Sequence, residues 1–315
     1  MKTALVIGVT GNFGREMAIA LAASGWAVKA LMRYPSNRPS GIPLVEVVKG
    51  SASVKVDVEQ AVQDCELIVY AANPKYHRWP QEAMAMLEPV AQVAEQRKLR
   101  LLFPGNVYNF NPQEQPVTEA TAMQPPSAKG AIRVQMETRL KQASENGAQV
   151  TIMRAGDFLG GGMHMSWLDF MLKGKHGHYS LAMPHDTKHV HFWTYLPDLC
   201  ANAATLLNEP VTDFDVWHDP GFALTTADWQ QAFAQLKVEA TIKRFPWWAF
   251  MFIAPFNPMI KEVQKMRYLW QQPVVLDGTK MRAALGERRQ ETGLNVILAA
   301  MIDRSEKVVG QLKQA

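Results

Sequence analysis

Ala4-Leu5-Val6-Ile7-Gly8-Val9-Thr10-Gly11-Asn12-Phe13-Gly14 is the stretch on which the reading of this chain turns. Residues 4–9 are an unbroken apolar run, as a strand buried on both faces requires. The run passes into glycines at 8, 11 and 14. Residues with helical spacing follow, Met17, Ala18, Leu21 and Ala22, before a stop at Gly25. Each glycine has its own physical reason. Gly8 permits the tight turn, Gly11 leaves room for a pyrophosphate against the backbone, and Gly14 lets helix and strand pack closely. The first N–H groups of the helix then face the phosphates. Gly8, Thr10, Gly11, Asn12, Phe13 and Gly14 are therefore expected to contact a dinucleotide. The alternative is a strand–helix turn that binds nothing.

Outward from this loop the chain alternates. Strands are expected at 27–32, 45–49, 66–71, 100–103 and 150–153, and helices at 58–63, 81–97 and 127–146. The last helix shows Ile132, Met136, Leu140 and Ala143 on one face. Strand–helix alternation with apolar strands predicts an α/β protein with a Rossmann, doubly wound parallel sheet. Residues 1–155 would form the dinucleotide-binding domain. Residues 156–315, where the rhythm breaks, would form mainly a smaller C-terminal substrate-binding region, with some elements returning to the sheet.

Bulk properties exclude several classes. Of 315 residues, 48% are hydrophobic and 20% charged, with a formal charge of only +4 and no basic run, so nucleic acid is not an expected partner. Cys65 and Cys200 have no metal spacing and fit a reducing, cytoplasmic setting as small core residues. The N-terminal apolar run is too short for a signal peptide and leads into the glycine motif. Residues 247–256 are about half of a bilayer span and are expected as a buried or lid helix, so no membrane partner is expected. Six histidines, 164, 176, 178, 185, 189 and 191, form nothing like HExxH, and no metal is expected. Trp167, Trp193, Trp247 and Trp248 suit either an aromatic-walled substrate cavity or ordinary core packing.

The second strand ends at Met32-Arg33. A carboxylate here would accept hydrogen bonds from a ribose 2′-hydroxyl, whereas Arg33 can grip a 2′-phosphate. NADP is accordingly favoured over NAD, with Asn37 and Arg38 close enough to assist; otherwise Arg33 is a solvated strand-end arginine. Asn106 and Tyr108 stand at the carboxyl end of the fifth strand, where both can hydrogen-bond a substrate oxygen and Tyr108 can donate a proton. Asp157, after the sixth strand, either orients a substrate hydroxyl or caps a turn.

These landmarks resemble the extended short-chain dehydrogenase/reductase family, which contains sugar-nucleotide epimerases and dehydratases. Thr10–Gly14 is similar to its TGxxGxxG, Tyr70-Ala71-Ala72-Asn73-Pro74 to the fourth-strand segment beside the cofactor, and Val107-Tyr108 to its VYG. Residues 154–160 resemble RPGxxYG, and 195–201 the VxDxA helix start. Leu276-Asp277-Gly278-Thr279-Lys280, followed by Leu285-Gly286, resembles DxxKxxxxLG. The resemblance implies that Ala72 and Asn73 lie at the cofactor. It also implies a Tyr and a Lys, spaced YxxxK, on the helix after the fifth strand, and a Ser before it. Here those positions read Lys129 and Arg133, with Pro104 near the Ser. Lys129 is then either the proton donor or a plain cation toward cofactor or substrate phosphate. Arg133 can hold ribose hydroxyls but cannot trade protons. The expected function is an atypical NADP(H)-dependent oxidoreductase acting on a small carbonyl or hydroxyl substrate, with Lys129, Arg133, Tyr108 and Asn106 as catalytic candidates. The alternatives are a non-catalytic NADP(H) sensor and an NAD-dependent epimerase or dehydratase. A homodimer is the partner arrangement the resemblance suggests.

Overall fold

The opening apolar run becomes β1 (Thr3–Ile7), an inner strand of the main sheet. The structure, a computed structural model, describes residues 1–112, 116–160, 166–175, 177–184, 189–210 and 212–312. After β1 come α1 (Asn12–Ala23), β2 (Ala27–Met32), β3 (Leu44–Lys49), α2 (Lys55–Ala61), β4 (Leu67–Tyr70), α3 (Trp79–Arg97), β5 (Arg100–Asn106), α4 (Ala128–Glu145) and β6 (Gln149–Ala155). The expected helices and strands of this half are all present, with ends shifted by a few residues. α3 runs through Pro89 without breaking.

The second half contributes β7 (Asp157–Leu159), α5 (Trp167–Met171), β8 (Leu172–Lys175), β9 (His178–Met183), β10 (His191–Tyr195), α6 (Leu196–Leu206), β11 (Phe214–His218) and β12 (Phe222–Leu224). It continues with α7 (Thr226–Gln235), β13 (Glu239–Arg244), α8 (Trp247–Ile253), α9 (Pro258–Lys265), α10 (Tyr268–Gln271), α11 (Thr279–Leu285) and α12 (Leu294–Leu312). The main sheet runs β11-β6-β5-β4-β1-β2-β3, with every neighbouring pair parallel. Chain order reverses between β1 and β4, the place where an open α/β sheet leaves a crevice beyond its carboxyl ends. The fold is the Rossmann α/β class expected from the alternation. β11, from the second half, completes its edge.

Strand alternation divides the core. Leu5 and Ile7 of β1 face the cluster beneath α2, α3 and α4, with Leu87, Val90 and Leu140. Ala4 and Val6 face the cluster beneath α1, α6 and α11, with Met17, Leu21 and Leu199. Cys65 and Cys200 are buried free thiols. A third core holds the second half together around Trp193, Trp229 and Trp270. It is covered by two three-stranded sheets, β12-β10-β7 and β13-β9-β8.

The 247–256 stretch is a helix but not a buried one. It forms the short α8, but only Trp247 and Ala254 are buried, while Trp248, Met251, Phe252, Ile253 and Phe256 face solvent. Seven helical residues present only one narrow face to the body of the protein, and Trp247 occupies it. Among the described residues, no helix is long and apolar enough to cross a membrane.

Candidate active site

The glycine loop carries the geometry its spacing predicts. Gly8 has φ +93°, and a Cβ there would lie 2.6 Å from the Ala71 carbonyl. A Cβ on Gly14 would lie 2.3 Å from the Gly8 carbonyl oxygen, so α1 can sit this close to β1 only with hydrogen at that position. Gly11 differs: its Cβ would make one ordinary contact, 3.4 Å from the Gly8 oxygen. Protein packing does not demand a glycine there, but an approaching pyrophosphate would. Gly11 also caps α1 with no side-chain hydrogen bond and no acidic residue in the first turn. The helix's first N–H groups and positive dipole end are thus open to an anion.

Two cavities meet at this loop. The first, about 530 Å³, lies between Gly8–Gly11, the β2 end at Met32, Arg33 and Tyr34, Asn37, residues 50–53, and Ala71–Pro74. Arg33 lines it as an exposed guanidinium with no hydrogen bond or ion pair among the described residues. Arg38 is instead turned back, donating to the Leu44 carbonyl at 2.9 Å. The second cavity, about 510 Å³, is lined by Thr10–Phe13, Tyr70–Asn73, Tyr76, Phe103–Tyr108, Arg133 and Ala155–Phe158. Ser166 and Trp167 close one side of it. Thr10, Gly11, Ala71, Ala72 and Asn73 belong to both. The glycine loop, Arg33, Ala72 and Asn73 thus form one continuous groove. It fits a dinucleotide: bare backbone where phosphates would sit, a free guanidinium at one end, and a polar-aromatic chamber at the other.

The chamber is built around a pair of phenols. The Tyr76 and Tyr108 hydroxyls are 2.8 Å apart. Tyr108 sits in a one-turn 3-10 segment, Val107–Asn109, capped by Asn106, whose side-chain oxygen accepts from the Tyr108 N–H at 3.0 Å. Burial holds both phenols above the ordinary tyrosine range, Tyr108 well above it, so both are protonated near neutrality. In such a pair one O–H is spent between the oxygens, and the other is available to a ligand.

Arg133 reaches the same chamber from α4. It is held over the Phe103 ring at 4.7 Å and the Trp79 ring at 5.6 Å, and it donates to the Pro104 carbonyl at 2.6 Å. Its Nε is buried with no partner among the described residues.

Lys129, one turn earlier, goes elsewhere. It is buried, ion-paired with Glu262 of α9, and 5.3 Å from the Tyr76 ring. It lines neither cavity. The two α4 residues read as substitutes for the YxxxK pair are thus split, Arg133 at the chamber and Lys129 behind Tyr76.

Two partnerships and one buried hydroxyl were not legible beforehand. Asp157 lines the chamber and makes a 2.8 Å contact with Nε2 of buried His191, whose ring stacks on Trp270 at 3.6 Å. The Tyr70 hydroxyl is buried without a partner among the described residues, and Tyr70 lines the chamber. Glu262 neutralises Lys129 from 133 residues away. The sequence singles out Asp157 and Lys129 but not the partners, His191 and Glu262, that the fold brings to them. Of the other histidines, His178 meets Glu239 on the surface, while His164, His176 and His185 lie outside the described residues. Among the described residues no group of three histidine, cysteine or acidic side chains is placed to hold a metal.

Behind the chamber a buried polar network fixes Tyr108's segment. Asn109 donates to Glu137 at 2.7 Å, and Glu137 pairs with Arg154 at 2.6 Å. Arg154 lies 3.1 Å from His218 Nε2, and His218 Nδ1 lies 3.1 Å from the Val117 carbonyl. A guanidinium only donates, so Nε2 accepts and Nδ1 carries the proton. Burial and the Arg154 charge push His218 down to about 3.

Residues 8–160 match the model of a family described as NAD(P)H-binding. No curated protein matches the chain by sequence. Among solved structures, MoeE5 in complex with UDP-glucose and NAD superposes with a TM-score of 0.73 at 16% identity, covering 98% of this chain and 99% of that one. UDP-glucose 4-epimerase from Thermus thermophilus, in complex with NAD, gives 0.66 at 17% identity over 94% and 96%. The UDP-Glc/GlcNAc 4-epimerase from Campylobacter jejuni gives 0.67 at 14% over 96% and 98%. The resemblance carried by the ordered landmarks therefore holds for the fold across nearly the whole chain.

Proposed function

From a chain whose residues 8–160 match the NAD(P)H-binding family and whose fold is shared with NAD-bound structures, a UDP-glucose 4-epimerase among them, we propose an NADP(H)-dependent oxidoreductase. Its substrate is a small molecule with a carbonyl or hydroxyl carbon. The observation that carries this reading is the continuity of the two cavities: the glycine-floored groove opens directly onto a chamber holding a protonated phenol pair and a guanidinium.

Gly8, Thr10, Gly11, Asn12, Phe13 and Gly14 hold the pyrophosphate against α1, and Arg33 receives the 2′-phosphate. Ala72 and Asn73 flank the passage between groove and chamber. When bound, the reduced nicotinamide supplies hydride to the carbonyl carbon. The chain's own residues do the rest. Arg133 offers N–H groups to ribose or substrate oxygens and moves no proton. The Tyr108–Tyr76 pair donates a hydrogen bond to the carbonyl oxygen and then the proton itself. Asn106 keeps Tyr108 in place. Lys129 acts from behind Tyr76 as a charge neutralised by Glu262, so the proton-donor role passes to the phenols.

Calorimetric titration with NADPH and NADH, followed by absorbance with a panel of carbonyl substrates, tests the reading. Expected are tighter binding of NADPH and its oxidation by a member of the panel. Tight binding with no oxidation favours an NADP(H) sensor, a reading supported by the absence of a tyrosine from α4. Tight NAD binding with interconversion of UDP-sugars would replace it by the epimerase reading, which the structural neighbours support.

A further inference from the structure

α8 and the residue that follows it by three present an apolar surface with no counterpart elsewhere among the described residues. Trp248 is 65% exposed, Phe252 71% and Phe256 89%, with Met251 and Ile253 beside them. Trp248 and Phe252 are one helical turn apart, with ring centroids 6.4 Å from each other. The helix is firmly seated: Trp247 is buried, donates its indole N–H to the Pro184 carbonyl at 2.7 Å, and packs on Phe245 and Phe250. The exposed rings are therefore held outward by a fixed anchor. Single exposed apolar residues need no explanation, but a contiguous group of large ones marks a contact surface.

Charge decides the occupant. Lys243 and Arg244 end the strand before α8, Lys261 and Lys265 lie on α9, which packs against it, and Arg267 lies 5.4 Å from the Trp247 ring. All five are exposed. From 239 to 272 the only carboxylates are Glu239, beside His178, and Glu262, shared by Lys129 and Lys265. A second copy meeting this face through its own α8 would bring the same cations against these. An apolar aromatic tip whose flanking strand and packed neighbour helix carry exposed basic side chains instead matches an anionic bilayer surface, where rings enter the headgroup boundary and lysines meet lipid phosphates.

We propose that this face docks the protein peripherally on anionic membranes, with α8 lying in the interface rather than spanning it.

The test is sedimentation of the full-length chain with phosphatidylcholine vesicles, with and without phosphatidylglycerol. The expected result is pelleting with the anionic vesicles, weakened by salt. Phe252→Ser with Phe256→Ser should lower partition at least roughly tenfold, because both rings lose their apolar insertion. Lys243→Gln with Lys261→Gln should lower it by a similar factor. Since every replaced side chain is exposed, NADPH affinity and circular dichroism should be unchanged in both. Acyl-chain-brominated lipid should quench wild-type tryptophan fluorescence, and quench it less in Trp248→Phe. No pelleting with either vesicle, or pelleting indifferent to the phenylalanine replacements, overturns the proposal. Concentration-dependent self-association abolished by those replacements overturns it too, assigning the face to a second copy.

Discussion

At the scale of single residues the three loop glycines separate binding from folding. Gly11→Val adds a side chain where protein packing has room, so the expected product is a folded protein that no longer binds NADPH by calorimetry. Gly14→Val forces a Cβ against the Gly8 carbonyl at 2.3 Å and must move α1, at a cost of about 1–3 kcal/mol or more in denaturant unfolding. Equal stability losses in the two variants would contradict the assignment. Arg33→Asp replaces a free guanidinium by a repelling carboxylate. It is expected to weaken NADPH roughly 10–100-fold, as loss of charge-assisted hydrogen bonds implies, with little effect on NADH. Tyr108→Phe removes the donor while leaving the ring on its neighbours. It should lower kcat roughly 10²–10⁴-fold without changing cofactor affinity. If Lys129→Met lost turnover as fully while Tyr108→Phe kept it, the proton would belong to the lysine.

Among the elements, those that follow a period could be read in the sequence. β1 and β4 announce themselves by apolar runs because both their faces are buried, and α1 by helical spacing because it buries one repeating face. The three-residue β7 and β12 have no length over which to show a period. The partnerships at the site escaped for another reason: Tyr76 meets Tyr108 across 32 residues, and Lys129 meets Glu262 across 133. Nothing local in the chain encodes such meetings. α8 misled because apolar content usually implies burial, whereas its aromatic face points outward.

Two buried groups give the elements around the site opposite pH responses. His218 joins β11 to β6 and remains neutral down to about 3, against about 6.5 in an unfolded chain. Its contribution to stability is full above about pH 6.5 and is lost as pH falls toward 3, at up to about 1.4 kcal/mol per unit. Asp219 accepts from Thr194 at 2.7 Å, and burial raises it to about 7. Its folded-state pKa lies above the unfolded value of about 3.9, so stability is lost as pH rises from there through 7. Asp219→Asn is expected to raise stability above about pH 7, and His218→Asn to flatten the acid limb of urea-unfolding profiles; unchanged slopes would remove either group from the account.

For the whole molecule, one sheet and two side-chain clusters converge on the groove, so its ligand should be felt globally. NADPH at about a hundredfold excess over its Kd should stabilise the fold by about 2.7 kcal/mol, more than NADH at equal concentration, in a thermal-shift measurement. The shared wall between the cavities has a further, kinetic consequence. Thr10, Gly11 and Ala71–Asn73 border both spaces, so whatever fills the groove becomes one side of the chamber. A substrate that enters first meets an unfinished chamber. Steady-state turnover should therefore follow a compulsory order, nucleotide on first and off last. An inhibitor shaped like the substrate should be uncompetitive toward NADPH, while an adenosine bisphosphate confined to the outer space should compete with NADPH alone.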